Sequence, residues 1–215
     1  MSTAEGAAHL REPLSRDRIL QAALTLVDRE GLEALTMRRV AAQLNVEAMS
    51  LYYHVANKEA ILEGVCDLVI AKADLPHGEV SPAEWIRGSA EGFRRLALHH
   101  PRTFPLLTSR PVPLVDAAAA KPMEAGLAAF ARVGMQPEAA YAAVQAVLMC
   151  LLSLGLVESR AVLDPDPEAV SQLEGLPEGQ FPLLSAVPDL GVDQGAISSC
   201  LVETLVRGLI APGTS

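Results

Sequence analysis

The sequence predicts an all-α protein. Apolar residues recur at three- and four-residue steps through most of the chain, several of these runs open on a Ser, Thr or Asn suited to cap a helix, and no run carries a strand signal. With 215 residues, half of them hydrophobic, the chain can bury one large core or a small and a medium one.

The elements follow in order. Ser15 can cap a first helix whose Ile19, Leu20, Ala23, Leu24 and Val27 share a face, and Gly31 ends it. Thr36 can cap a second helix, Met37 to Leu44. Asn45, a residue that tolerates left-handed backbone, makes a tight turn before a short third helix from Glu47 to about His54. Asn57 caps a longer helix striped with Ile61, Leu62, Val65, Leu68 and Val69. The pattern lapses from Asp74 to Val80. Ser81, with Pro82 in the first turn and Glu84 three residues after the cap, then opens a helix holding Trp85, Phe93, Leu96 and Leu98 that ends near His100-Pro101. Five prolines from Pro101 to Pro122 restrict any helix there to a short one. Met123 to Val133 is helical up to Gly134, and Pro137 starts a long apolar helix to about Glu158. Prolines and glycines between Arg160 and Gly191 read as an extended loop with room for one helical turn. Asp193 to Ile210, with Ile197, Leu201, Leu205 and Leu209 at four-residue steps, reads as a docked amphipathic helix.

Composition narrows the function. The N-terminus is polar and charged, unlike a secretory signal, and the three cysteines, Cys66, Cys150 and Cys200, contain no CxxC and lie among apolar residues. Together these point to a reducing cytoplasm and to cysteines that serve as small buried hydrophobes. No apolar run reaches the ~18 to 20 residues of a membrane span, since the stretch from Ala142 to Val157 is interrupted by Gln145, Ser153 and Gly155. The histidines, His9, His54, His77, His99 and His100, have no spacing that suits an enzyme's nucleophile and base. His99 and His100 point about 100° apart on a helix, so no metal site is expected.

The net charge of −9 is spread over the chain, with eight Lys or Arg against ten Asp or Glu in residues 1–72. From Thr36 to Lys58, however, Arg38, Arg39 and Lys58 meet only Glu47. Overall acidity therefore does not exclude DNA, although it predicts modest non-specific affinity. In that same stretch Val40, Ala41, Leu44, Asn45, Val46 and Leu51 have the spacing of two short helices joined by a tight turn. Leu51, Val46 and Ala41 belong to the core, while Ser50, Tyr52 and His54 are carried outward, as a protein presents polar side chains to a DNA groove. Arg39 reads as a solvated charge and Tyr53 as half-buried.

The order of helix, GLEALT, two arginines, VAAQLNV, SLYYHV and NKEAIL resembles the DNA-binding domain of the TetR family of bacterial transcription regulators, most of all its tetracycline-repressor branch. FRRLALHHPRTFPLLTSRP, the Pro137 helix and the final helix resemble that branch's ligand-binding domain in order and pattern. The resemblance implies a flexible tail at 1–14, a helix-turn-helix DNA-binding domain with connecting helix at 15–72, and a ligand-binding and dimerisation domain at 73–215. It also implies that Thr36 directs backbone N–H groups at a phosphate, that Arg38 reaches a base edge, that Ala48, Met49 and Ser50 face bases, and that Tyr52, His54 and Lys58 grip the backbone. At Ala48 and Met49 the tetracycline repressor carries an amide and a proline, so the operator should differ.

A cytoplasmic homodimer on a palindromic double-stranded DNA operator follows from the resemblance, with the Pro137 helix and the last helix making a four-helix interface. An apolar small molecule would release it, from a pocket among Trp85, Phe93, Leu106, Leu107, Met123, Leu127, Phe130, Met149 and Ser153. Leu106 stands where the tetracycline repressor has its metal-anchoring histidine, which argues against a magnesium chelate as effector; no cofactor is expected. The alternative is a regulator whose C-terminal domain only dimerises or docks a protein.

Overall fold

The computed structural model describes residues 13–108, 117–164, 180–185 and 194–210, and these residues contain no strand. The first helix, α1 (Arg16–Glu30), begins where Ser15 Oγ accepts the Arg18 amide at 3.3 Å. It ends at Gly31, whose φ of 87° lies where only glycine is unstrained. A 3-10 turn (Leu32–Ala34) leads into α2 (Met37–Leu44), capped by Thr36 Oγ1 accepting the Arg39 amide at 3.2 Å. Asn45 takes the left-handed conformation, φ 54° and ψ 49°, and turns the chain into α3 (Ala48–Leu51). The next helix, α4 (Lys58–Lys72), is capped by Asn57 Oδ1, which accepts the Ala60 amide at 2.8 Å.

Helix α3 is shorter than its sequence suggests. The amides of Tyr52 and His54 bond carbonyls three residues back, on Met49 and Leu51, so the coil tightens after one turn and Tyr52 to His54 form a bend. Asn57 must then be extended to start α4. Ile19, Val27, Leu35, Val40, Leu51 and Val65 are fully enclosed between these helices, and Val46 is partly buried against them. At the α1–α4 crossing a Cβ on Gly64 would lie 2.5 Å from Leu20, so the absence of a side chain sets how closely the two helices approach.

The C-terminal helices are α5 (Pro82–His99), α6 (Phe104–Thr108), α7 (Ala117–Arg132), α8 (Pro137–Leu163), α9 (Pro182–Ser185) and α10 (Gln194–Ile210). A complete capping box starts α5: Ser81 Oγ accepts the Glu84 amide at 3.2 Å, and the Glu84 carboxylate accepts the Ser81 amide at 2.7 Å. The principal pairing is α5 with α8; α6 and α7 also pack on α8, and α10 lies beside α5. Trp85 is sealed in this core, edge-on to Phe130 with ring centres 6.2 Å apart. A Cβ on Gly155 would lie 2.3 Å from the Phe104 ring, which is how α6 seats against α8.

Two helices are longer than expected. Pro122 lies inside α7, which starts at Ala117 because the alanine run favours helix; the Pro122 carbonyl accepts the Trp85 indole N–H at 2.7 Å. Gln145, Ser153 and Gly155 do not interrupt α8, whose 27 residues make it long and apolar enough to cross a membrane by length and composition, with mean hydropathy 2.1 over its best window. The expectation that no segment reaches this threshold is therefore corrected. Here the buried face of α8, through Val144, Val147 and Leu151, packs within the protein.

The loop reading between Arg160 and Gly191 is met by one helical turn, α9; most of that stretch, like residues 1–12 of the tail, lies outside the described residues. Helix α4 contacts α5, α6 and α7 and so joins the two groups of helices. A second tie comes from α1, where the Asp28 carboxylate accepts the Thr103 hydroxyl at 2.6 Å and meets His100 Nδ1 at 2.7 Å. At the C-terminus of α4 the Ala73 carbonyl accepts Arg95 at 2.9 Å.

Candidate nucleic-acid interface and effector region

The enclosed side of α2 and α3 is set by Val40, Ala41 and Leu51, and this determines which residues remain for solvent. Thr36 is exposed at the start of α2, its hydroxyl committed to its own cap. Arg38, the second residue of α2, is exposed and has no side-chain partner among the described residues, whereas Arg39 is ion-paired with Glu30 of α1. That pair neutralises one of the local positive charges and leaves Arg38 and Lys58 to set the field.

On α3, Met49 is 69% exposed while Ala48 and Ser50 are partly covered. Tyr52 and His54 follow, both exposed, and Lys58 opens α4 half-buried. The fold thus gathers all eight sequence-selected residues onto α2, α3, the bend after it and the first turn of α4. Tyr53, read as half-buried, is 89% exposed. Its position was illegible because helical spacing ceases to apply once the coil tightens after Leu51.

The residues selected for a pocket divide. Trp85, Phe93, Leu106, Leu107, Met123 and Phe130 are buried together in the C-terminal core, with Leu127 partly buried against it. Met149 and Ser153 are not with them: they lie on the outer face of α8, Met149 69% exposed, because the side of that helix turned inward is the one carrying Val144, Val147, Leu151 and Gly155. The same geometry takes Ala140, Ala143, Val144, Val147, Leu151 and Gly155 out of the expected interface between copies, since they are buried within the chain. The face left over on α8 carries Tyr141, Met149, Ser153 and Val157, and α10 exposes Ile197.

His99 and His100 turn to different partners. His99 Nδ1 sits 2.8 Å from the Arg95 carbonyl of its own helix, and His100 meets Asp28. Among the described residues no three His, Cys, Asp or Glu side chains are grouped to hold a metal.

Residues 19–65 match the model of bacterial regulatory proteins of the tetR family. The chain is 36% identical over 90 residues to the class E tetracycline repressor protein of Escherichia coli, a match covering 40% of this chain and 43% of that one, so that the chain spans less than half the length of such curated relatives. A longer match, 32% over 169 residues, covers 73% of this chain and 76% of the uncharacterized HTH-type transcriptional regulator Rv0681 of Mycobacterium tuberculosis. Among solved structures, the TetR family protein ActR of Streptomyces coelicolor in complex with actinorhodin superposes with a TM-score of 0.82 at 27% identity, over 94% of this chain and 98% of that one. An all-α chain with this helix-turn-helix, and a relative aligned over three-quarters of its length, belongs to the tetR family of bacterial regulatory proteins.

Proposed function

We propose that the chain acts in the cytoplasm as a homodimeric repressor of transcription, and not as an enzyme, with residues 15–72 as the DNA-binding domain and residues 73–215 sensing a ligand and dimerising. The observation that carries this reading is the exposed group of Met49, Tyr52 and Tyr53 beside Arg38 and Lys58. Large apolar and aromatic side chains left in solvent where the core has no use for them fit a surface that is covered in the working state.

In this reading Met49 packs on a thymine methyl, Arg38 reaches a base edge, Ala48 and Ser50 lie against bases, and Thr36, Tyr52, Tyr53, His54 and Lys58 hold phosphates. The outer face of α8, with α10, meets the same face of a second copy. Met149 and Ser153 therefore serve the dimer, and Trp85, Phe93, Leu106, Leu107, Met123, Leu127 and Phe130 remain as the walls that open to admit an apolar effector. Effector binding moves α6 and α4, and the Asp28 contact with His100 and Thr103 carries part of that shift into α1. The ligand acts only through its different affinity for the two arrangements. The test is operator binding by the purified protein with and without candidate apolar compounds: sequence-specific binding that a compound reverses supports the whole reading. Specific binding that no compound affects leaves a dimerising regulator without a sensor.

A further inference from the structure

Between α5, α8 and α10 the surface opens into a cleft of about 440 Å³, within the size range of small-molecule sites. It lies apart from the apolar residues assigned to the effector and, unlike them, carries five charged side chains, Arg87, Glu91, Arg94, Glu158 and Glu203, among apolar ones. At its base stands Glu158, only 4% exposed, whose Oε1 accepts Ser198 Oγ at 2.8 Å and Arg94 Nε at 3.2 Å. Its second oxygen, Oε2, is buried with no hydrogen-bond partner. A buried carboxylate oxygen left unpaired is destabilising, so a group that donates to it is favoured.

Arg94 is the movable partner of this carboxylate: its side chain is 45% exposed, while Ser198 is held in α10. If Arg94 swings outward, Glu91 one turn away on α5, which already meets Arg95 at 3.7 Å, can share it, and the Glu158 carboxylate then needs another cation. Across the mouth of the cleft Arg87 and Glu203 pair at 2.9 Å, and the lining holds three carboxylates, Glu91, Glu158 and Glu203, against two guanidiniums, Arg87 and Arg94, with Arg95 beside Glu91 at 3.7 Å. We propose that this cleft is a second ligand site, selective for a small amine whose ammonium group replaces Arg94 on Glu158. The site does not depend on the DNA-binding reading, and because it bridges α8 and α10 its occupancy would tie together two helices of the proposed dimer face.

The experiment is calorimetric titration of the full chain with 1,4-diaminobutane, and with butane-1,4-diol as the uncharged match. The diamine is expected to bind saturably at one site per chain, with the diol weaker by about tenfold or more. Glu158→Gln, which keeps the shape and removes the charge, should weaken the diamine to the level of the diol. Because Glu158 is buried, a second variant guards against misfolding: Leu154→Trp, from a half-exposed position on the cleft wall, should fill the cleft and abolish binding while the melting temperature holds. Absence of diamine binding to the wild type, equal binding of diol and diamine, or binding that survives Leu154→Trp would each overturn the proposal.

Discussion

Replacing Asp28 with alanine removes an acidic group through which α1 grips the junction of α5 and α6. Two bonds go, from Thr103 at 2.6 Å and His100 at 2.7 Å. Thr103 is fully buried, so its hydroxyl is left unsatisfied, while the His100 and Asp28 side chains are 16% and 25% exposed and lose a partly screened contact. A bond to a charged acceptor contributes about 1.5–3 kcal/mol and a stranded buried hydroxyl costs about 1–3, giving about 2–4 kcal/mol for Asp28→Ala after solvent screening. Thr103→Val, which removes the hydroxyl and its need together, should cost less. Urea unfolding distinguishes the contributions, because the single tryptophan, Trp85, reports the C-terminal helices and circular dichroism reports all of them. The two signals should coincide in the wild type and separate in Asp28→Ala, with ellipticity lost first. In the double-mutant cycle the two substitutions should couple by about 1 kcal/mol or more; costs that add to within ~0.5 kcal/mol, with coincident transitions, would show that the contact does not join the two parts.

Arg38→Ala should cost ~1–3 kcal/mol per subunit on the operator and little on random DNA, whereas Lys58→Ala should weaken both alike and reduce the salt dependence by about one charge per subunit; filter binding at several salt concentrations reads both. Met149→Glu, placed on the exposed face of α8 where it disturbs no core, should turn a dimer into a monomer by sedimentation while leaving the helix content intact. Hydrogen bonds from Ser81 hold the Glu84 carboxyl below its ordinary value of 4.5, and the Arg87 bond does the same for Glu203. A depressed folded-state pKa gives stability that is complete above the ordinary value and is lost as pH falls from there, so the melting temperature should drop on acidification below about 4.5. That drop should be shallower in Glu84→Gln.

The helix starts were legible because each rests on a local rule. Ser15, Thr36, Asn57 and Ser81 are all caps whose side chains bond an amide within the first turn, and Asn45 adopts the left-handed turn its side chain permits. The fold class, and the placing of the candidate DNA-facing residues on α2, α3 and the start of α4, followed from the same local spacing together with the family resemblance. What periodicity could not give was the side of α8 that turns inward, since apolar residues surround that helix and only its packing on α5 distinguishes Val147 from Met149. The bond from the Trp85 indole to the Pro122 carbonyl within α7 joins residues 37 apart in sequence and was likewise out of reach of any local rule. The Asp28–His100–Thr103 contact spans more than seventy residues and leaves no mark in any window of sequence.

In the proposed function α2 and α3 of two subunits read DNA as a symmetric pair. Footprinting of the purified protein on the DNA flanking its own gene tests it most directly. Protection is expected over a palindrome whose half-sites are about 34–36 Å apart, one dimer per site, abolished by Met149→Glu through loss of pairing and weakened by Arg38→Ala through loss of a base contact in each half-site. Protection that shows no palindrome, or affinity no greater than for random DNA at the same salt, would contradict it.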